Sequence, residues 1–223
     1  MIDKNKVIFV NVDTQEDIIN GYGDVPLIKN ENLRDNLKKL TDTAYNKNVK
    51  VVNIMLSRDG DSEETSEQPN FVDNFPRQCM SGTIGSKFID ETEPKTSTMV
   101  IDWNQSNNKN MNFHNMHSYR NLIIKKNSFN LFKTNSMATS VINNLGIPIL
   151  DRPTFIVYGA YGNLSLKTLV EDLTVRGYTA FVVSDAVLEL KTLPSSIVEW
   201  GTKSTETPLI NIMNTNKVVE LFK

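Results

Sequence analysis

The chain has one cysteine, Cys79, and two histidines, His114 and His117, among its 223 residues. A single thiol excludes an internal disulfide and any cysteine-rich zinc module. The histidines stand three apart with no cysteine nearby and no obvious third ligand, so they read as surface or lid residues rather than metal ligands. No apolar run approaches the ~20 residues that a membrane-spanning helix needs. Neither sign of charge dominates, with 24 Lys+Arg against 26 Asp+Glu. That balance argues against a nucleic-acid partner or a membrane-surface role, both of which need an uncompensated basic face. The opening residues run into a strand-like segment without the apolar stretch of a secretory leader, so a cytoplasmic protein of a reducing compartment is expected. There is no internal repeat and no Pro/Gly/Ser linker. The expectation is one domain over 1–223, with a polar insertion at about 104–118.

What is abundant is asparagine, 27 residues in all, clustered between Asn104 and Asn115. This reads as the bias of an A+T-rich genome rather than a functional tract. Residues 58–70 and 104–118 are polar and aperiodic, hence loops. With 39% hydrophobic residues, the remainder can bury a core without staples.

That remainder alternates strand and helix. Lys6 to Val12 is a β-branched run typical of a buried strand. Leu33, Leu37, Leu40 and Ala44 fall on one helical face within 30–48. Further strands are expected at Val49–Leu56, Asn121–Ile124, Thr154–Gly159, Tyr178–Ser184 and Pro208–Met213. Helices are expected over Thr134–Leu145, closed by Gly146, from about Ser165 to Arg176, and after a Thr215 cap. Strands separated by helices imply a three-layer, Rossmann-like α/β fold around a mostly parallel six-stranded sheet. Such sheets bind ligands at the carboxyl ends of their strands. Those ends carry an acid (Asp13), a base (Lys125-Lys126) and, past Gly159, a hydroxyl (Ser165).

The order of these residues, and the segments between them, resemble the isochorismatase-like cysteine hydrolases, and among them the nicotinamidases. The resemblance rests on Asp13-x-Gln15, on Phe75-Pro76-Arg77-Gln78-Cys79-Met80-Ser81-Gly82-Thr83-Ile84-Gly85, and on Lys126-x-x-Phe129-x-x-Phe132. It continues through the Gly159 turn, the twelve-residue step from Ser165 to Gly177, and Ser184-Asp185-Ala186. It implies hydrolysis of the C–N bond of a small planar amide by an Asp–Lys–Cys set, whose positions here are Asp13, Lys126 and Ser165. Gln15, Phe132, Ala160 and Tyr161 fall at substrate-binding positions, and a cis peptide is implied between Ala160 and Tyr161. Phe129 and Trp103 are further candidates to stack on a planar ring, with core packing the alternative for Phe129 and a lid or oligomer contact for Trp103. A homo-oligomer is also implied.

The cysteine position is a serine, and Cys79 lies in a different motif. A thiol with a reference pKa of about 8.5 is partly ionised at neutral pH, whereas a hydroxyl needs a well-aligned base. Four readings of Ser165 stand open: an exchange made by design, natural loss of catalysis with binding retained, a slow nucleophile, or a reaction that needs no nucleophile. The last would match the isochorismatase-type vinyl-ether hydrolysis, although the histidine usual there is Asn163 here. The nicotinamidase metal signature D-x-H-x-x-x-H falls on Ser57, Asp59 and Glu63, without a histidine. An oxygen cluster of Asp59, Asp61 and Glu63 would suit a hard divalent ion, but a solvated acidic loop is the simpler reading.

Overall fold

The computed structural model describes residues 6–21, 25–28, 30–60, 62–103, 113–145, 152–193, 196–203 and 209–223. Seven strands form one all-parallel sheet. They are β1 (Val7–Val12), β2 (Lys50–Leu56), β3 (Thr98–Ile101), β4 (Asn121–Lys126), β5 (Thr154–Gly159), β6 (Thr179–Val187) and β7 (Ile210–Met213). Their order across the sheet is β3-β4-β2-β1-β5-β6-β7. The sheet therefore has seven strands rather than six. The additional one, β3, is a four-residue edge strand with Val100 exposed, and so it has no continuous apolar run to mark it.

Every residue of β1 is buried, as a central parallel strand covered on both faces requires. Ile8, Val10 and Val12 enter one core with α4 (Ala138–Asn143) and α5 (Lys167–Val175). Val7 and Phe9 enter the other with α2 (Leu33–Asn46) and α7 (Thr215–Leu221). In α2 the predicted stripe Leu33, Leu37, Leu40 and Ala44 is the buried face. Two further helices, α1 (Glu16–Ile19) and α3 (Leu131–Thr134), follow β1 and β4, and α6 (Ile197–Lys203) precedes β7. None of the described helices is long and apolar enough to cross a membrane.

Local chemistry explains where the helices depart from the periodicity. The stretch expected as one helix over Thr134–Leu145 is split at Asn135. Its amide receives the Met137 N–H at 2.9 Å and donates to the Lys125 carbonyl at 2.8 Å, so it serves the strand end instead of continuing a helix. Gly146 lies outside the described residues. The final helix is capped one residue earlier than expected. Asn214 Oδ1 receives the Lys217 N–H at 2.9 Å, while Thr215 gives both its N–H and its hydroxyl to Asp185 Oδ1 at 2.8 Å. Asn214→Ala should accordingly lower stability by about 1 kcal/mol, measurable as a fall in the urea midpoint without a change in slope.

Strand order reverses around β1, with β2 and β5 as its neighbours. A crevice at the carboxyl ends of the strands flanking such a point is where open α/β sheets place their chemistry.

Candidate active site

β1 delivers Asp13 in a left-handed backbone conformation, φ 52°, with its N–H bonded to the Ile54 carbonyl at 2.9 Å. β5 ends at Gly159, whose φ of 130° and closeness to β1 allow no side chain: a Cβ there would lie 2.1 Å from the Val12 carbonyl oxygen. This close approach lets the Ala160 N–H reach the Val12 carbonyl at 2.7 Å. Tyr161 follows, also left-handed at φ 52°, and opens a π-helical turn, Gly162–Leu166, that carries Ser165. Left-handed φ is costly for non-glycine residues and π-turns are rare, and both concentrate where structure serves a function. Lys126 is the last residue of β4.

These three side chains meet. Lys126 Nζ donates to Asp13 Oδ2 at 2.8 Å and contacts Ser165 Oγ, and the Ser165 hydroxyl donates to the same Asp13 oxygen at 2.6 Å. The Phe129 carbonyl receives Lys126 Nζ at 3.1 Å and lies 3.2 Å from Ser165 Oγ. Asp13 and Lys126 are fully buried and Ser165 is 2% exposed. In so dry a setting the ion pair fixes both partners, and the charged acceptor shortens the hydroxyl hydrogen bond. The carboxylate is placed to take the hydroxyl proton, with a cation beside it. Any substrate requires the surrounding shell to open.

Aromatic rings close over the cluster. Phe129 packs edge-on against Phe75 (centroids 4.6 Å apart) and Tyr161 (4.9 Å). The Arg58 guanidinium lies 4.8 Å from the Phe129 centroid and pairs with Glu64 at 2.9 Å. Glu64 also accepts the Phe129 N–H. Tyr161 donates its hydroxyl to Gln78 Oε1 at 2.8 Å, and burial pushes that phenol well above its usual pKa.

The segment holding Cys79 docks on α1. The Cys79 N–H bonds Asp17 Oδ2 at 2.7 Å, and a Cβ on Gly85 would fall 2.1 Å from the Asp17 carboxylate. Burial, and then the negative charge of Asp13, raise the Cys79 thiol well above its ordinary pKa. Both effects favour the thiol over the thiolate, the form that acts as a nucleophile.

The remaining sequence-predicted residues are placed as follows. Gln15 spends its whole amide on backbone: Nε2 donates to the Leu56 and Ser86 carbonyls and Oε1 accepts the Leu56 N–H. Ala160 and Tyr161 adjoin the cluster, and the peptide between them is trans rather than cis. Phe132 is half-buried against the opposite core, with the Arg176 guanidinium 4.1 Å from its centroid. Trp103 donates its indole N–H to the Ser57 carbonyl at 3.1 Å, which ties it to the end of β2.

Glu63 is exposed, whereas its neighbour Glu64 turns inward; Asp59 lies against the Asn127 amide. Asp61 and the side chains of His114 and His117 lie outside the described residues. Among the described residues no three His, Cys, Asp or Glu side chains gather as metal ligands, and a buried guanidinium stands in this loop. The described residues of this loop do not fit a divalent ion. Sequence reasoning passed over Arg58, Glu64 and Gln78 as site residues. Their only signals were a charge two residues past the apolar run of β2, for Arg58, and membership of the Phe75–Gly85 motif, for Gln78.

No family model and no curated protein matches the sequence. Solved structures do match, along nearly the whole chain. N-carbamoylsarcosine amidase from Thermoplasma acidophilum superposes with a TM-score of 0.64 and 18% identity, over 95% of this chain and 97% of that one. A cysteine hydrolase from Pseudomonas syringae pv. phaseolicola gives 0.66 and 18%, over 99% and 94%. The pyrazinamidase of Pyrococcus horikoshii in complex with zinc gives 0.63 and 16%, over 94% and 99%. The fold is isochorismatase-like: an isochorismatase family protein from Burkholderia thailandensis superposes with a TM-score of 0.65 and 14% identity, over 99% of this chain and 97% of that one. Within that fold, Asp13, Lys126 and Ser165 gather at the carboxyl edge of the sheet, at the ends of β1 and β4 and in the turn after β5.

Proposed function

We propose that the chain is an isochorismatase-like hydrolase that cleaves the C–N bond of a small planar amide. One observation carries this reading: Asp13, Lys126 and Ser165, separated by up to 152 residues, share one buried hydrogen-bonded cluster. Asp13 Oδ2 takes the Ser165 proton as Oγ attacks the amide carbonyl carbon. The tetrahedral intermediate collapses with breakage of the C–N bond, and Asp13 returns the proton to the departing ammonia. Water, activated by the same carboxylate, then releases the acid and restores the hydroxyl. Lys126 holds the carboxylate in place and supplies positive charge beside the reacting atoms.

A second reading, a binder that kept the site and lost the chemistry, is favoured by the hydroxyl at 165 and by the complete enclosure of the cluster. Ammonia release from a panel of planar amides separates the two. If Ser165 is the nucleophile, the unaltered chain turns over slowly. Ser165→Ala then falls to background, and Ser165→Cys gains about 10²-fold or more, because the thiol ionises far more readily. Turnover by the Ser165→Cys chain alone supports the binder, and turnover that survives Ser165→Ala excludes a serine nucleophile.

A further inference from the structure

Four buried polar atoms around Phe129 and Tyr161 have no hydrogen-bond partner among the described residues: Arg58 Nε and Nη1, Gln78 Nε2, and Asp13 Oδ1. Three are donors and one is an acceptor. Folded proteins satisfy nearly all such groups, so those left over call for a partner: an ordered water, an ion or a group of a ligand. The three side chains are each fully buried, so bulk water does not reach them in this conformation.

The geometry of the guanidinium narrows what is missing. One of its two-pronged edges is made by Nε with Nη2, and the other by Nη1 with Nη2. Glu64 engages Nη2 alone, at 2.9 Å. Nη2 carries a hydrogen on each edge, so the edge turned away from Glu64 keeps a parallel pair of N–H donors. That fork matches a carboxylate. Gln78 already accepts the Tyr161 hydroxyl at its oxygen, while its Nε2 donor is without a partner among the described residues. Phe129 joins this donor group to the reacting cluster: its ring faces Arg58, and its carbonyl meets Lys126 Nζ and Ser165 Oγ.

Resting on the amidase reading above, we propose that Arg58 and Gln78 form an anion subsite, and that the substrate carries a carboxylate besides its scissile amide. Arg58 grips that carboxylate through its free edge, Gln78 donates a further hydrogen bond to it, and Asp13 Oδ1 accepts an N–H of the amide. The substrate is thus a compact amide acid. Both cations adjoin the Phe129 ring, Arg58 at 4.8 Å and Lys126 Nζ at 5.8 Å from its centroid.

The test is calorimetric binding to the Ser165→Ala chain of two matched pairs: 2-carbamoylbenzoate with benzamide, and succinamate with succinamide. The carboxylate member of a pair should bind about tenfold more tightly or better, and Arg58→Lys, which keeps the charge and loses the fork, should bring the pair close to parity. Gln78→Leu should reduce the preference several-fold, and it carries the test should the Arg58 variant not fold. Parity in the Ser165→Ala chain, a preference unmoved by these variants, or no binding by either carboxylate probe overturns the proposal. The two readings fail separately. Binding with carboxylate preference but no ammonia from the unaltered chain sinks the amidase alone. Ammonia release indifferent to the carboxylate sinks the subsite alone.

Discussion

Lys126→Met is expected to destabilise the protein by about 3–5 kcal/mol and to abolish amide turnover. The ammonium is enclosed and has three acceptors: Asp13, Ser165 and the Phe129 carbonyl. Methionine fills similar space but leaves the Asp13 carboxylate buried beside a lone hydroxyl donor. Removing one member of a buried pair costs far more than the pair contributes, because the other charge remains uncompensated. Pairing the change with Asp13→Leu should recover part of the loss, since the double variant leaves no orphan charge. Urea unfolding followed by circular dichroism measures both. A single-variant loss below about 1 kcal/mol, the range of exposed pairs, would mean that the ion pair is not enclosed as described. Turnover loss tracked at a temperature where the variant stays folded separates chemistry from stability.

Gly159→Ala should be comparably damaging, roughly 3–5 kcal/mol from the strained φ together with overpacking. At φ 130° an L side chain has no comfortable conformation, and the added methyl would sit 2.1 Å from the carbonyl oxygen of Val12 and 2.8 Å from its nitrogen. Both obstacles are backbone atoms of the central strand, so no side chain can swing aside. β1 and β5 would have to part at the Val12–Gly159 register, directly under Asp13 and the turn to Ser165. Gly21→Ala is the control. It also has positive φ, at 71°, but nothing lies within 4 Å of the new Cβ, so its cost should stay near the ~1 kcal/mol of backbone preference alone. Equal losses at the two positions would show that close packing at Gly159 is not the cause.

The alternation of β-branched runs with helical stripes was enough to read a layered α/β chain and to find the strand ends. Asp13 and Lys126 lie at those ends because short buried strands stop where polar residues begin. Ser165 followed from the turn after β5. The four-residue edge strand β3 escaped because only Ile101 of it is buried, and the helix break at Asn135 escaped because it depends on a carbonyl ten residues back.

The single cysteine shows where sequence reading ends. From the sequence alone its presence at position 79 excluded disulfides and left position 165 with a hydroxyl; in the folded chain, burial and the neighbouring carboxylates raise the Cys79 thiol well above its ordinary pKa. Composition, periodicity and strand ends are properties of neighbouring residues, and the sequence determined them: the fold class, a core on both faces of a parallel sheet, and three polar residues at its carboxyl edge. Strand order and side-chain direction belong to the packed chain. Only the tertiary structure decided that Phe129 rather than Phe132 lies over the cluster, that Glu64 rather than Glu63 turns inward, and that Arg58 is buried with an edge free. Each of those outcomes depends on contacts between segments far apart in sequence, which local pattern does not encode.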